Sequence, residues 1–169
     1  DIVELETRGD KLRLAGAYDW MAKVLTLGRE NDMRQSIIDL VELKPGDAVL
    51  DTGCGTGTLL MTAERRLESV GRFEGTDAAY EMTTRAQQKA DKAGLKARFR
   101  PGLIENIAFG DNEFDVVMNS LVMHHLPDEE KENGISEMYR VLKVGGRILI
   151  VDIEASEGGR LQQIGRAHV

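Results

Sequence analysis

The sequence predicts an α/β fold, a doubly wound and mostly parallel sheet with helices on both faces. Three observations carry this expectation. Strand-like and helix-like segments alternate between residues 48 and 152. The runs Val-Val-Met at 116–118 and Ile-Leu-Ile-Val at 148–151 are apolar at successive positions, as in parallel strands buried on both faces. The stretch VLDTGCGTG at 49–57 reads as a buried strand entering a loop with three glycines. In such sheets ligands sit outside the carboxyl ends of the strands, where the strand order reverses.

Each element has a local cause. Tyr18, Trp20, Met21, Val24 and Leu25, then Ile37, Ile38 and Val41, recur at helical spacing, so residues 18–43 are expected to be helical in two pieces. Lys44-Pro45-Gly46-Asp47 is a turn. Strand one is expected at 48–51, and a helix at 58–67 follows with Leu59, Leu60, Ala63 and Leu67 on one side. Strand two spans 72–77, and the next helix, 80–93, stops at Gly94, a residue suited to a left-handed cap. Strands three and four fall at 97–100 and 114–119. A helix at 129–142 turns Ile135, Met138, Val141 and Leu142 inward. Residues 143–146 turn the chain into strand five at 147–152. A helical segment at 1–44 is thus expected to cover a core at 45–153, with a tail at 154–169.

Composition narrows the function. A chain of 169 residues, 41% hydrophobic and 30% charged, suits one globular domain with a real core. The net charge of −7 argues against a general nucleic-acid surface, although a local basic patch stays open. The single cysteine, Cys54, has no internal disulfide partner, which favours a reducing cytoplasm. No apolar run is long enough to span a bilayer, and no signal-peptide pattern opens the chain. The last six residues, IGRAHV, read as a translated sequencing adaptor in a metagenomic reading frame, which gives His168 no role.

The glycine loop admits three ligands. Gly57 is followed by Thr58-Leu59 with no lysine, unlike a phosphate loop. The spacing Gly53-x-Gly55-x-Gly57 is one residue short of the dinucleotide fingerprint. Asp51, at the strand end, would repel a pyrophosphate but suits a cofactor with a sulfonium and an ammonium, such as S-adenosylmethionine; otherwise it caps the turn. Asp77 ends strand two, where a carboxylate accepts both ribose hydroxyls or simply opens the next helix.

VLDTGCGTG, EGTDAAYEM at 74–82, FDVVMNSLVMHHLPD at 114–128 and RVLKVGGRILIVD at 140–152 occur in that order. Together they resemble the class I S-adenosylmethionine-dependent methyltransferases with a Rossmann-like sheet, in the branch of the menaquinone and ubiquinone C-methyltransferases. The resemblance implies that Asp51, Gly53, Cys54, Gly55 and Gly57 line the methionine and ribose side of S-adenosyl-L-methionine, whose product is S-adenosyl-L-homocysteine. It implies Asp77 at the ribose, with Ala78 and Met82 near the adenine. Asn119 would meet the ammonium through its carbonyl, Ser120 and Leu121 would continue the site, and Tyr18 would close it. Leu103 stands where relatives place an aspartate for the adenine amine; Ile104 N–H and Glu105 are the remaining polar neighbours. The family sheet ends in two further strands. Only 17 residues follow Asp152, so those strands are expected to be missing and strand five to be a bare edge open to self-association.

Methyl transfer needs no metal and no covalent nucleophile, and no zinc-like Cys/His spacing occurs. In His124-His125, His124 is the candidate base if the small-molecule acceptor must lose a proton; the bland alternative is one packed ring and one solvated. Two rival functions stay open: an NAD-dependent oxidoreductase with an unusual loop, and a noncatalytic cofactor-binding or dimer-partner protein on the same fold.

Overall fold

A computed structural model of the chain describes residues 30–152 and 166–168. Tyr18, the first helical piece and residues 153–165 lie outside the described residues. The elements are α1 (Glu30–Val41), β1 (Ala48–Thr52), α2 (Thr58–Arg66), β2 (Arg72–Asp77), α3 (Tyr80–Lys92), β3 (Arg98–Pro101), β4 (Phe114–Ser120), a 3₁₀ turn (Met123–His125), α4 (Asp128–Val141), β5 (Leu142–Val151) and β6 (Arg166–His168). The sheet order is β3-β2-β1-β4-β5-β6. The first five strands are parallel, and the order reverses between β1 and β4.

Two apolar layers sandwich this sheet. Val49, Val116, Met118 and Leu149 meet Ile37, Ile38 and Val41 of α1 and Leu59, Leu60 and Ala63 of α2. Leu50, Val117 and Ile148, from the alternate positions, meet Met138 and Val141 of α4. The period of two along each strand thus sends adjacent residues into different layers, which is why the strands read as unbroken apolar runs. The buried Arg147 locks α1 to the sheet. Its guanidinium pairs with Asp47 at 2.6 Å and donates to the carbonyls of Val41 and Glu42 at the helix end. A cation there also meets the negative end of the helix dipole.

Two expectations change. Residues 143–146 are not a separate turn: β5 starts at Leu142, and a bulge with Gly145 at φ 79° separates the Phe114–Leu142 pair from the Val116–Arg147 pair. The bare edge on strand five is also corrected. Arg166–His168 form an antiparallel strand against Arg147–Leu149, because unpaired backbone donors and acceptors on an edge are met by any strand in reach.

A buried carboxylate holds the entry to β3. Glu64, fully buried in α2, accepts Lys96 N–H at 2.7 Å, Ala97 N–H at 2.9 Å and the Ser69 hydroxyl at 2.8 Å. Glu64→Ala strands these donors, at about 1–3 kcal/mol each where burial keeps water out. The expected outcome is a fall of about 3 kcal/mol in unfolding free energy. It should appear as a lower urea midpoint at unchanged m, and an unchanged midpoint would refute the role given to Glu64.

Candidate functional site

The glycine loop leaves β1 at Thr52 and enters α2 at Thr58. Gly53, Gly55 and Gly57 have φ of 70°, 52° and 76°, the left-handed region that suits glycine. At two of them space is also lacking. A Cβ on Gly53 would sit 2.4 Å from Val122, and one on Gly57 would sit 2.6 Å from the Phe99 ring. The loop is therefore clamped between β3 and the segment that follows β4.

Its donors point inward. Gly53 N–H and Cys54 N–H both donate to Thr76 O, at 2.7 and 2.9 Å. Gly55 N–H donates to Asp77 Oδ2 at 2.8 Å, and Gly57 N–H to Cys54 O at 2.9 Å. Phosphate-binding loops turn successive N–H groups toward the anion. Here those four groups are spent inside the protein, which leaves the N-terminus of α2 as the remaining source of loop donors.

Acids flank it instead. Asp77 Oδ1 also accepts Ala79 N–H at 2.9 Å, so this carboxylate holds both the loop and the start of α3. Each oxygen still has acceptor capacity for a ligand hydroxyl. Burial raises the Asp77 carboxyl, against the two N–H bonds that lower it. Asp51 is buried at the end of β1. Burial first, then the charge of Asp77, push its carboxyl from 3.8 up to about 8. Burial, followed by the charges of Asp77 and Asp51, pushes the Cys54 thiol up as well. Cys54 is buried, and its raised thiol favours the protonated form over the nucleophilic thiolate.

The other predicted residues fall along the same strand ends. Gly102 N–H donates to Asp77 O at 3.0 Å, which brings Leu103, Ile104 and Glu105 beside β2. Ile104 turns its side chain into the core against Gly134 and leaves only backbone toward the loop side. Met82 is buried with Ala79, next to the half-buried Ala78. Asn119 ends the buried part of β4 and donates to Thr52 O at 2.8 Å. Its Oδ1 is, among the described residues, a buried acceptor with no protein partner. Ser120 and Leu121 are half-buried, and Leu121 sits at φ 58°, a strained position for a residue with a bulky side chain. Residues this strained cluster at functional sites.

Sequence reasoning missed three participants. Thr76 supplies the carbonyl that folds the loop, and Val122 fills the space over Gly53. Asp152 holds His124, with Nδ1 to Oδ1 at 2.6 Å and His124 N–H to Oδ2 at 2.9 Å. A signal for Asp152 was present: it ends its strand as Asp77 does, at a carboxyl edge. Among the described residues, no His/Cys/Asp/Glu group could hold a metal ion, and no helix is long and apolar enough to cross a membrane.

Sheet order and loop define a doubly wound, Rossmann-like domain with a ligand edge at its switch point. More narrowly, the chain belongs to the methyltransferase domain family, which it matches over residues 49–146. It is 31% identical to a demethylmenaquinone methyltransferase of Desulfitobacterium hafniense, over 83% of this chain and 55% of that protein. It is 30% identical to the demethylmenaquinone methyltransferase of Thermus thermophilus, over 92% of the chain and 69% of that protein. A ubiquinone/menaquinone biosynthesis C-methyltransferase of Geotalea daltonii is 28% identical over 88% of the chain and 66% of its own length. The chain therefore spans roughly half to two thirds of several curated relatives. Among solved structures, YcgJ from Bacillus subtilis superposes with a TM-score of 0.67 at 30% identity, covering 76% of this chain and 53% of that one. A methyltransferase from Aquifex aeolicus gives 0.67 at 24% identity, covering 83% and 77%, and shares the fold.

Two predictions come from this geometry. Because the folded state holds Asp51 protonated up to about 8 while the unfolded chain releases the proton near 3.8, its stabilising contribution is complete below pH 3.8 and fades as pH rises to about 8. Asp51→Asn removes the ionisable group. Its stability relative to the parent should climb from pH 4 to pH 8 and level off above, in thermal melts across pH; a flat difference would contradict the buried acid. Second, Gly57→Ala and Gly46→Ala both place alanine at positive φ, but only Gly57 is crowded, as nothing lies within 4 Å at Gly46. Urea unfolding should show Gly57→Ala costing about 1–3 kcal/mol more than Gly46→Ala.

Proposed function

We propose that this chain is the core of an S-adenosyl-L-methionine-dependent methyltransferase that acts on a small-molecule acceptor and leaves S-adenosyl-L-homocysteine. The observation that carries this reading is the inward-facing loop between the buried Asp51 and the half-buried Asp77. A loop whose Gly53, Cys54, Gly55 and Gly57 donors are spent internally suits a cationic ligand better than a pyrophosphate. Against an NAD-dependent oxidoreductase stands the buried Asp51 at the end of β1, an acid beside which a pyrophosphate is poorly placed.

In this reading Asp77 accepts the ribose hydroxyls with the lone pairs left beside its two N–H bonds. Gly53, Gly55 and Gly57 let the backbone lie against the ligand, and Cys54 packs behind them. Asp51 faces the positive end of the ligand and ionises as that charge arrives. The carbonyl of Asn119 takes the ammonium, and its side chain braces this strand end through Thr52. Ala78, Met82, Leu103 and Ile104 enclose the adenine, with Glu105 at the rim. Leu103 offers no acceptor to the adenine amine, a loss of about 0.5–1.5 kcal/mol. Tyr18 closes the methionine end by analogy with the family. When bound, the cofactor supplies an electrophilic methyl carbon with a neutral thioether as leaving group. The chain's own work is alignment of acceptor and methyl group and exclusion of water.

The relatives' names point to a quinone-type acceptor, and the lone Cys54 favours the cytoplasm as the place of reaction. Titration calorimetry with S-adenosylmethionine and with NADH separates the two cofactors. Saturable binding of the first and none of the second is expected; the reverse would overturn the proposal. Transfer of a labelled methyl group to a short-chain demethylmenaquinol then separates an enzyme from a noncatalytic binding protein. Asp77→Ala should weaken cofactor binding at least about tenfold, the value of hydrogen bonds to a charged acceptor. Affinity should rise from pH 6 to pH 8 in the parent as Asp51 ionises, and stay flatter in Asp51→Asn.

A further inference from the structure

We infer that Asp152 is a positioning residue that fixes His124 as the general base for an acceptor bearing an acidic hydroxyl, such as an enol, phenol or quinol. This rests on the methyltransferase reading above. Asp152 is 2% exposed and grips His124 twice, through the ring Nδ1 and the backbone N–H. With the Asp152 oxygen as acceptor, Nδ1 is the nitrogen that donates, and in the neutral ring that arrangement leaves the lone pair on Nε2. The His124 side chain is 25% exposed, whereas its anchor is buried. The His125 ring lies 3.9 Å away at a 43° tilt and limits how the His124 ring can swing.

The position suits the reaction. The 3₁₀ turn that carries His124 begins right after Val122, the residue packed over Gly53. Leu121, at φ 58°, ties the same segment to Val151 O at 2.8 Å, one residue before Asp152. One strained connection thus joins the glycine loop, the histidine and the acid. In the proton-transfer step His124 Nε2 takes the hydroxyl proton, and the imidazolium formed is stabilised by Asp152. The electron pair released on the acceptor, at oxygen or at the conjugated ring carbon, forms the new bond to the methyl carbon. The carbon–sulfur bond breaks and its pair stays on sulfur. If a ring carbon was attacked, its own proton then leaves to water and aromaticity returns.

Two measurements test this, and the first needs no acceptor. Multiple-bond ¹H–¹⁵N spectra of the cofactor-free chain, with three histidines to assign, should show His124 as the Nδ1–H tautomer. Asp152→Asn should shift it toward Nε2–H. A His124 that is Nε2-protonated in the parent, or a tautomer unchanged in Asp152→Asn, would overturn the inference. Second, with a short-chain demethylmenaquinol as probe, His124→Gln and Asp152→Asn should each lower kcat by about 100-fold or more, the usual scale of general-base loss. The dissociation constant for S-adenosylmethionine should stay within about twofold, while Asp152→Glu should recover part of kcat. Full turnover in Asp152→Asn would reduce the contact to a structural clasp and sink the proposal. Failure of the parent to bind S-adenosylmethionine would instead sink the methyltransferase reading, and the tautomer spectra would still decide the dyad.

Discussion

The site depends on one shared acceptor, the carbonyl of Thr76. Gly53 and Cys54 both donate to it, which bends the chain back over the end of β2 as soon as β1 finishes. Buried backbone donors must find partners, and this pair finds them one strand away. The bend then sets everything else. It carries Gly55 N–H to Asp77, pushes Gly53 under Val122 and leaves Gly57 against Phe99. A side chain at Gly53 or Gly57 would have to displace its neighbour, so the loop shape and the packing of β3 and β4 are a single arrangement.

The two ends of the parallel strands are held by different chemistry. At the amino end Arg147 neutralises Asp47 and caps the last carbonyls of α1. This closes the lower rim with matched charge. At the carboxyl end Asp51, Asp77 and Asp152 stand at or just past three strand ends, and the partners described for the latter two are N–H groups or an imidazole. The rim at the switch point is therefore rich in acceptor capacity, and Lys89 lies beside the loop, where it donates to the Thr56 and Thr58 hydroxyls. Burial and the neighbouring charge of Asp77 push the Asp51 carboxyl up to about 8, so the rim does not carry a full set of repelling carboxylates near neutral pH.

Much of this was legible in the sequence because it follows local rules. Apolar runs located β4 and β5, and the helices fell within a residue or two of their observed ends. The missing lysine and short glycine spacing told against phosphates, and the inward N–H bonds give that pattern its physical cause. Three features were not legible. Residues 143–146 have turn composition yet form a bulge, because Leu142 already pairs with Phe114 before the glycines. The edge of β5 is met by Arg166–His168, since pairing there depends on where the distant chain returns. The grip of Asp152 on His124 joins residues 28 apart, a separation that no motif spacing encodes.

That last contact explains why a histidine pair alone was ambiguous. A ring with both nitrogens in water is a mixture of tautomers, and a ring with both nitrogens bonded inside the core has no free lone pair. His124 is neither, because a buried carboxylate holds one nitrogen while a quarter of the side chain stays in solvent. The asymmetry arises from the order of the sheet. β5 lies beside β4, so the residue after β5 reaches the turn after β4. The same adjacency puts Val122 over Gly53 through the β1–β4 pairing. His124 and the glycine loop are thus brought to one edge by strand order alone, through contacts made within residues 49–152.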